Sequence, residues 1–402
     1  MPEILPRLPV PPALRGAEVG TFAHHTVAHR LPDIARRVLR ENDLPAAAVE
    51  RLHALIEEIP DAPVRPLTDT NAPDAADWQR YLAAVEGQSW LEVPWFFAET
   101  YFYRRIVEAV AFFETGYDPF HDQKRRGLET TQEAIGALAE RLDHALADAA
   151  RHREHLTHAF RQALWGNQAD LSLWPAGEEG GPQHRDEAAQ TAHLLANDTA
   201  AVVDHLGALG RPALIDVIAD NAGFELVGDL CLVDYLLSSG QAASVRMHLK
   251  LHPTFVSDAL VRDVAATIAY LRRTGPAAVQ RLGERLRDHH RRGRLLLARH
   301  PYWTSPLSGW EMPTPVRAFL APADLVISKG DANYRRWLGD RHWVFSLPFD
   351  QVVSYFPAPL VALRTVKAEV AAGIPPERLR RLDEADPDWM TNGHWGLIQF
   401  VR

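Results

Sequence analysis

Residues 214–220 read LIDVIAD, and Asn221, Ala222 and Gly223 follow directly. The run is β-branched and too apolar to carry a solvated face, which predicts a strand buried on both sides. Past the glycine, Leu226, Val227, Leu230, Val233 and Leu237 form an apolar stripe at helical spacing over 224–237. Working outward, further strands are predicted at SVRMHLKL (244–251), DLVISKGD (324–331), HWVFSLPF (342–349) and PLVALRTV (359–366), with helical stretches between them. Short apolar runs alternating with helices specify a mostly parallel sheet covered by helices, an α/β class. Toward the N-terminus the pattern changes: from residue 20 to about 200, segments such as Thr26–Glu41 and Gln132–Gly166 place apolar residues at three-to-four spacing. The expected organisation is therefore a mainly helical region over 1–200 and an α/β/α region over 201–402. The GEEGGP core of Trp174–Arg185 reads as an exposed loop.

Composition narrows the class. Of 402 residues, 47% are hydrophobic and 24% charged, close to globular averages, and no apolar run approaches the roughly 18 residues that span a bilayer. The opening MPEILPRLPVPPALRG lacks a basic segment followed by a continuous apolar run, so a cytoplasmic enzyme is expected. Forty-three basic against fifty-two acidic residues give a net charge of −9. The basic residues are dispersed, which argues against a nucleic-acid footprint. The single cysteine, Cys231, sits in LCLVDYLL, which excludes internal disulfides and cysteine-built metal sites and predicts a buried thiol.

In parallel sheets ligands bind beyond the carboxyl ends of the strands, so the polar residues just after the apolar runs are the candidates. Asp220 and Asn221 put a carboxylate and an amide at a strand-to-helix switch, hard oxygens suited to Mg²⁺ or Mn²⁺. An Asx turn capping the helix is the alternative reading of the pair. After the next strand, HLKLHPTFVSD supplies Asp258, which can complete an oxygen-rich site, while His248, Lys250 and His252 read as packing or cleft lining rather than ligands. Lys329-Gly330-Asp331-Ala332-Asn333-Tyr334-Arg335 offers backbone N–H groups and a cation to a phosphate or to sugar hydroxyls, or else is a capped turn. In Arg364-Thr365-Val366-Lys367, alternation sends Thr365 and Lys367 to one face and Arg364 to the other, making Lys367 a candidate phosphate clamp. Within WFFAETYFYRR the aromatics read as core, with Glu99 and Arg104 as candidates to face a cleft. His155 and His158 lack the HExxH order and read as helix surface, and His289-His290-Arg291-Arg292 reads as a solvated helix end.

Taken together, Thr21-Phe22-Ala23, Thr26, Arg30-Leu31-Pro32, WFFAETYFYRRI, Asp118-Pro119-Phe120, Lys124, DNAGFELVGDL, HLKLHPTFVSD, KGDANYRR and RTxK at 364–367 resemble one family. It is the metal-dependent damage-control phosphatases of the domain-of-unknown-function 89 group, in the branch that includes the acidic residue methyltransferase-like proteins. The resemblance spans nearly the whole chain. It implies a helical N-terminal region on a Rossmann-like α/β/α domain. It implies that Asp220, Asn221 and Asp258 bind Mn²⁺, Co²⁺, Ni²⁺ or Mg²⁺, and that Asp331, Ala332, Asn333, Tyr334, Arg335 and Lys367 bind a small phosphorylated metabolite. Sugar phosphates, especially fructose 1-phosphate and fructose 6-phosphate, are the substrates the branch implies. Asp220 as ligand and Asp220 as covalent nucleophile both remain open. Two other functions are compatible with the branch. A carboxyl methyltransferase using S-adenosylmethionine would place a glycine-rich loop after its first strand, where DNAGFE stands here. A non-catalytic metabolite binder would not need two aspartates, Asn221 and Lys367 together. Tyr302-Trp303 and Asn392-Gly393-His394-Trp395 match no role in the family and leave the substrate open, and oligomeric state is not encoded in these patterns.

Overall fold

The computed structural model describes residues 5–166 and 191–402. The Trp174–Arg185 loop expectation lies outside the described residues. Seven strands form one sheet: β1 Leu194–Asn197, β2 Ala213–Ile218, β3 Ala242–Leu249, β4 Leu295–Arg299, β5 Leu325–Lys329, β6 Leu360–Thr365 and β7 Gly396–Val401. Their order is β1-β7-β6-β5-β2-β3-β4. Strands β2 to β6 are parallel to their neighbours among themselves, whereas β7 runs antiparallel to β6 and β1 is parallel to β7. The mixed α/β class and mostly parallel sheet read from sequence are therefore those of the molecule.

Burial shows why the central strands are so apolar. In β6, Leu360 and Ala362 pack into one core while Val361 and Leu363 pack into the other, and β5 divides the same way between Val326 and the pair Leu325 and Ile327. Period-two alternation thus feeds two hydrophobic layers. One layer is roofed by the helices Gln132–Ala147, His152–Trp165, Phe224–Ser238 and Ala277–Arg291, whose apolar faces share a core with the strands. Cys231 lies buried in that layer. The other layer contains the Trp95–Ala109 helix, all of whose residues are buried, together with Trp78, Trp303 and Trp337. Among the described residues no helix is long and apolar enough to cross a membrane.

Two sequence expectations fail locally. Residues 342–349 form no strand: Trp343 and Phe349 are buried, but the backbone pairs with loops, Ile374 N–H to Phe345 O at 2.9 Å and Gly373 N–H to Leu347 O at 2.7 Å. The aromatic content that mimics a strand instead fills a core outside the sheet. The 289–292 helix end is not wholly solvated, since His289 is buried with Nε2 3.0 Å from Ser238 Oγ. The strands β1, β4 and β7 are not among the predicted ones; β1 and β4 are the short edges of the sheet, and β7 lies between β1 and β6.

The chain order creates a switch point. From β2 the connection leads to β3 and β4 on one side, and β5 then returns to pair with β2 on the other. The carboxyl ends of β2 and β5 are adjacent there, the position where open parallel sheets bind ligands.

Candidate active site at the carboxyl edge of the sheet

Strand β2 ends into Asp220 and Asn221, and the loop after β3 folds back beside them. Ala222 N–H donates to Ser257 O and Ala259 N–H to Asp220 O, both at 2.7 Å, and Asn221 and Asp258 form an isolated antiparallel bridge. This lacing requires a tight approach: Phe255 and Val256 hold φ of +45° and +69° immediately before Ser257. Left-handed backbone at two successive non-glycine residues, one of them β-branched, is the kind of strain that surrounding structure must impose. Gly330, after β5, holds φ +83°, and a Cβ there would overlap the Asp220 carboxylate, so only glycine lets the β5 turn close against β2.

These turns surround a cavity of about 200 Å³. Asp220, Asn221, Asp258, Asp331, Ala332, Arg335 and Lys367 all line it, with Ser257 and Thr365. Its opposite wall comes from the N-terminal helices: Phe22, Arg30, Leu31, Ile34, Trp95, Glu99 and Tyr103. Arg30 ends the π-helical turn Thr26–Arg30, an irregularity frequent at functional sites. Of the expected substrate-binding residues, Asn333 and Tyr334 do not line the cavity. Asn333 is buried and donates to Ala219 O at 3.1 Å and Lys329 O at 2.8 Å, tying β5 to β2. Tyr334 donates to Gln399 at 2.8 Å and stacks on Phe349. Of the two cleft candidates on the Trp95–Ala109 helix, Glu99 faces the cavity, whereas Arg104 turns away to Asp74 at 2.9 Å.

The cations divide into spent and available. Arg335 is paired with Asp340 at 2.8 and 2.9 Å and with Glu99 at 2.6 Å, and its guanidinium lies 3.7 Å from the Trp95 ring centroid. Lys250 Nζ lies 3.0 Å from Asp258 Oδ2. Arg364, fully buried, donates to Asp331 Oδ1 at 2.7 Å and to Ala368 O at 3.0 Å; the Lys367 backbone N–H reaches the same Asp331 oxygen at 3.2 Å. Arg364 thereby holds the turn that carries Lys367, whose side chain is exposed to the cavity.

The carboxylates are correspondingly perturbed. Burial, then the neighbouring Asp258 and Glu225, hold the Asp220 carboxyl well above its ordinary range against the pull of Lys250 and Lys367. Burial raises Asp258 too, opposed by Lys250. Burial likewise raises Glu99, opposed by Arg335. Two buried carboxyls facing one small cavity each disfavour ionisation of the other, and a divalent cation between them relieves both penalties.

Comparison with known proteins follows the same geometry. Residues 26–382 match the damage-control phosphatase ARMT1-like domain. The chain belongs to the damage-control phosphatase ARMT1-like family. It is 34% identical over 435 residues to damage-control phosphatase ARMT1 of Danio rerio, covering 97% of each chain. It is 32% identical over 441 residues to the Homo sapiens protein of that name, covering 97% of this chain and 98% of the relative. A solved structure of a DUF89 family protein from Pyrococcus horikoshii aligns over 94% of this chain and 98% of its own, with 13% identity and a TM-score of 0.49. As a member of the ARMT1-like family the chain is a phosphatase.

Within this family frame, the donor set has a definite character. Among the described residues no trio of His, Cys, Asp or Glu is poised to hold a metal ion. Asp220, Asp258 and Asn221 offer two carboxylates and one amide, hard oxygens that fit Mg²⁺- or Mn²⁺-type ions better than thiophilic ones. Asp258 Oδ2 is paired with Lys250 Nζ at 3.0 Å, so a cation bound between Asp220 and Asp258 would share that carboxylate with the buried ammonium. The structure also adds residues that sequence reading passed over. Glu225 accepts from Asn221 Nδ2 at 2.8 Å, and Ser257 donates to Asn221 Oδ1 at 2.5 Å. Lys250 follows β3, and its contact with Asp258 depends on the loop that returns across the sheet edge. Arg30 lies nearly two hundred residues from Asp220 in sequence, and no local pattern joins them.

Proposed function

We propose that this chain is a metal-dependent phosphomonoester hydrolase that acts on small phosphorylated metabolites, sugar phosphates such as fructose 1-phosphate and fructose 6-phosphate foremost. One observation carries the reading: Asp220, Asn221, Asp258, Asp331 and Lys367, drawn from three strand ends and a returning loop, line a single cavity at the sheet's switch point. At about 200 Å³ the cavity is smaller than the roughly 300–1,000 Å³ typical of drug-sized ligands, which suits a small metabolite. Asp220, Asn221 and Asp258 would hold the divalent ion. Bound there, it supplies Lewis-acid stabilisation of negative charge on the phosphoryl group. The Lys367 ammonium, with no carboxylate partner among the described residues and set by the Arg364-held turn, meets the phosphoryl oxygens. Arg30 provides a second cation from the opposite wall, where Phe22, Trp95 and Tyr103 add aromatic surface beside it. Asp331 and Ala332 start the Asp331–Leu338 helix, whose N-terminus favours an anion.

The test is release of inorganic phosphate from a panel of sugar and nucleotide phosphates with Mn²⁺, Co²⁺, Ni²⁺, Mg²⁺ or EDTA. Wild type should be active only with metal, and Asp220→Ala and Asp258→Ala should each lose activity on the order of 100-fold or more. Folded, metal-loaded wild type that releases no phosphate from any member of the panel would overturn the reading.

A further inference from the structure

Behind the cavity lining lies a buried charge chain that the proposed reaction does not itself use. Glu225, the second residue of the Phe224–Ser238 helix, is 5% exposed and splits its two oxygens between two donors. Oε2 accepts from Asn221 Nδ2 at 2.8 Å, and Oε1 accepts from Lys329 Nζ at 3.2 Å. Lys329, itself fully buried, also lies 3.0 Å from Asp229 Oδ1 and donates to the Ala163 carbonyl. Asn221 Nδ2 makes a second bond, to Asp220 Oδ2 at 2.9 Å, so both amide protons face carboxylate acceptors. The amide cannot flip without setting its oxygen against two carboxylate oxygens. Oδ1 is therefore held on the opposite side, where it accepts from Ser257 Oγ at 2.5 Å; an amide oxygen has a second lone pair, and Asn221 lines the cavity.

We propose that Glu225 is a positioning residue: anchored by Lys329, it fixes the Asn221 amide so that Oδ1, and not the NH₂ group, is presented to a divalent cation. This rests on the metal-dependent reading above. Glutamine is nearly isosteric but has one acceptor oxygen for two donors, so Glu225→Gln must leave Lys329 or Asn221 facing an NH₂ group. Groups that orient metal ligands from outside typically contribute about 10–100-fold in affinity.

The experiment is direct binding of Mn²⁺, followed by electron paramagnetic resonance of the free ion, to metal-stripped wild type, Glu225→Gln, Asn221→Asp and the double variant, each checked for an unchanged circular dichroism spectrum. Glu225→Gln should weaken Mn²⁺ binding about 10–100-fold while KM for the phosphorylated substrate at saturating Mn²⁺ stays within about twofold. Asn221→Asp sets a carboxylate against Glu225 and should also bind weakly. Adding Glu225→Gln to it restores a donor and acceptor pair, so the double variant should bind more tightly than Asn221→Asp alone. A purely structural role for Glu225 would give no such rescue. Equal Mn²⁺ affinity in wild type and Glu225→Gln, or no gain in the double variant, overturns the assignment and leaves the hydrolase reading intact. Wild type that binds no Mn²⁺ sinks both together.

Discussion

At Gly330 the chain turns out of β5 with φ +83° while the Asp220 carboxylate occupies the space a side chain would need. Gly330→Ala meets both penalties, and a stability loss of about 1–3 kcal/mol is expected in denaturant titration, with phosphate release falling alongside it as Asp220 is displaced. Asp229 makes a different kind of residue-level statement. Burial pushes its carboxyl up to about 7, against the pull of Lys329. The folded state therefore binds a proton that the unfolded chain releases near pH 4, so this residue's contribution is full below that pH and is lost as pH rises toward 7. His252 contributes the opposite slope, because burial holds its imidazole down to about 4 and folding resists its protonation as pH falls from the ordinary value. Asp229→Asn should accordingly remove the decline between about pH 4 and 7 and make the protein comparatively more stable at the upper end. Thermal melts across that range check it, and an unchanged profile refutes the protonated carboxyl.

Among elements, the Trp95–Ala109 helix is buried along its whole length, which an amphipathic surface helix cannot be. Its composition made the aromatics legible as core, but the destinations of its charges were not legible, because Glu99 and Arg104 leave the helix on different faces. Arg104 Nε lies 3.1 and 2.9 Å from the two Asp74 oxygens, and both groups are almost wholly inaccessible to water. Asp74→Ala would strand a buried guanidinium and should cost about 3–5 kcal/mol, read from the denaturant midpoint. Replacing both partners by apolar residues, Asp74→Leu with Arg104→Met, should recover part of that loss. A single variant as stable as wild type would show that the pair carries no such penalty. The strands divide in the same manner. β2, β5 and β6 divide their apolar residues between two cores and β3 feeds one of them, whereas the edge strands β1 and β4 have four and five residues. Short edge segments need little apolar content, so periodicity carries little signal there.

For the molecule as a whole, a cavity closed by residues from positions 22 to 367 links site occupancy to global stability. A cation that binds only the folded state stabilises it by mass action, about 2.7 kcal/mol when present at a hundred times its Kd. Mn²⁺ should therefore raise the Tm of wild type, and Asp220→Ala and Asp258→Ala should abolish the rise. Shifts of equal size in the variants would place the ion elsewhere.

What the sequence determined by itself was local in origin. Apolar runs long enough to be buried on both faces required a parallel sheet, and Asp220, Asn221, Asp331 and Lys367 stood directly after such runs, where strand ends collect polar groups. Only tertiary structure decided which of these face one another. The order β5-β2-β3 brings Gly330 onto Asp220, the loop before Asp258 returns through two left-handed residues, and the N-terminal helices supply Arg30, Trp95 and Glu99 to the far wall. It also turned Asn333 and Tyr334 into supports and enlisted Glu225 and Lys250 behind the lining. The contacts of Asn333 with Ala219 and of Gly330 with Asp220 join residues more than a hundred positions apart, and the periodicities that specify a helix or a strand reach only a few residues along the chain.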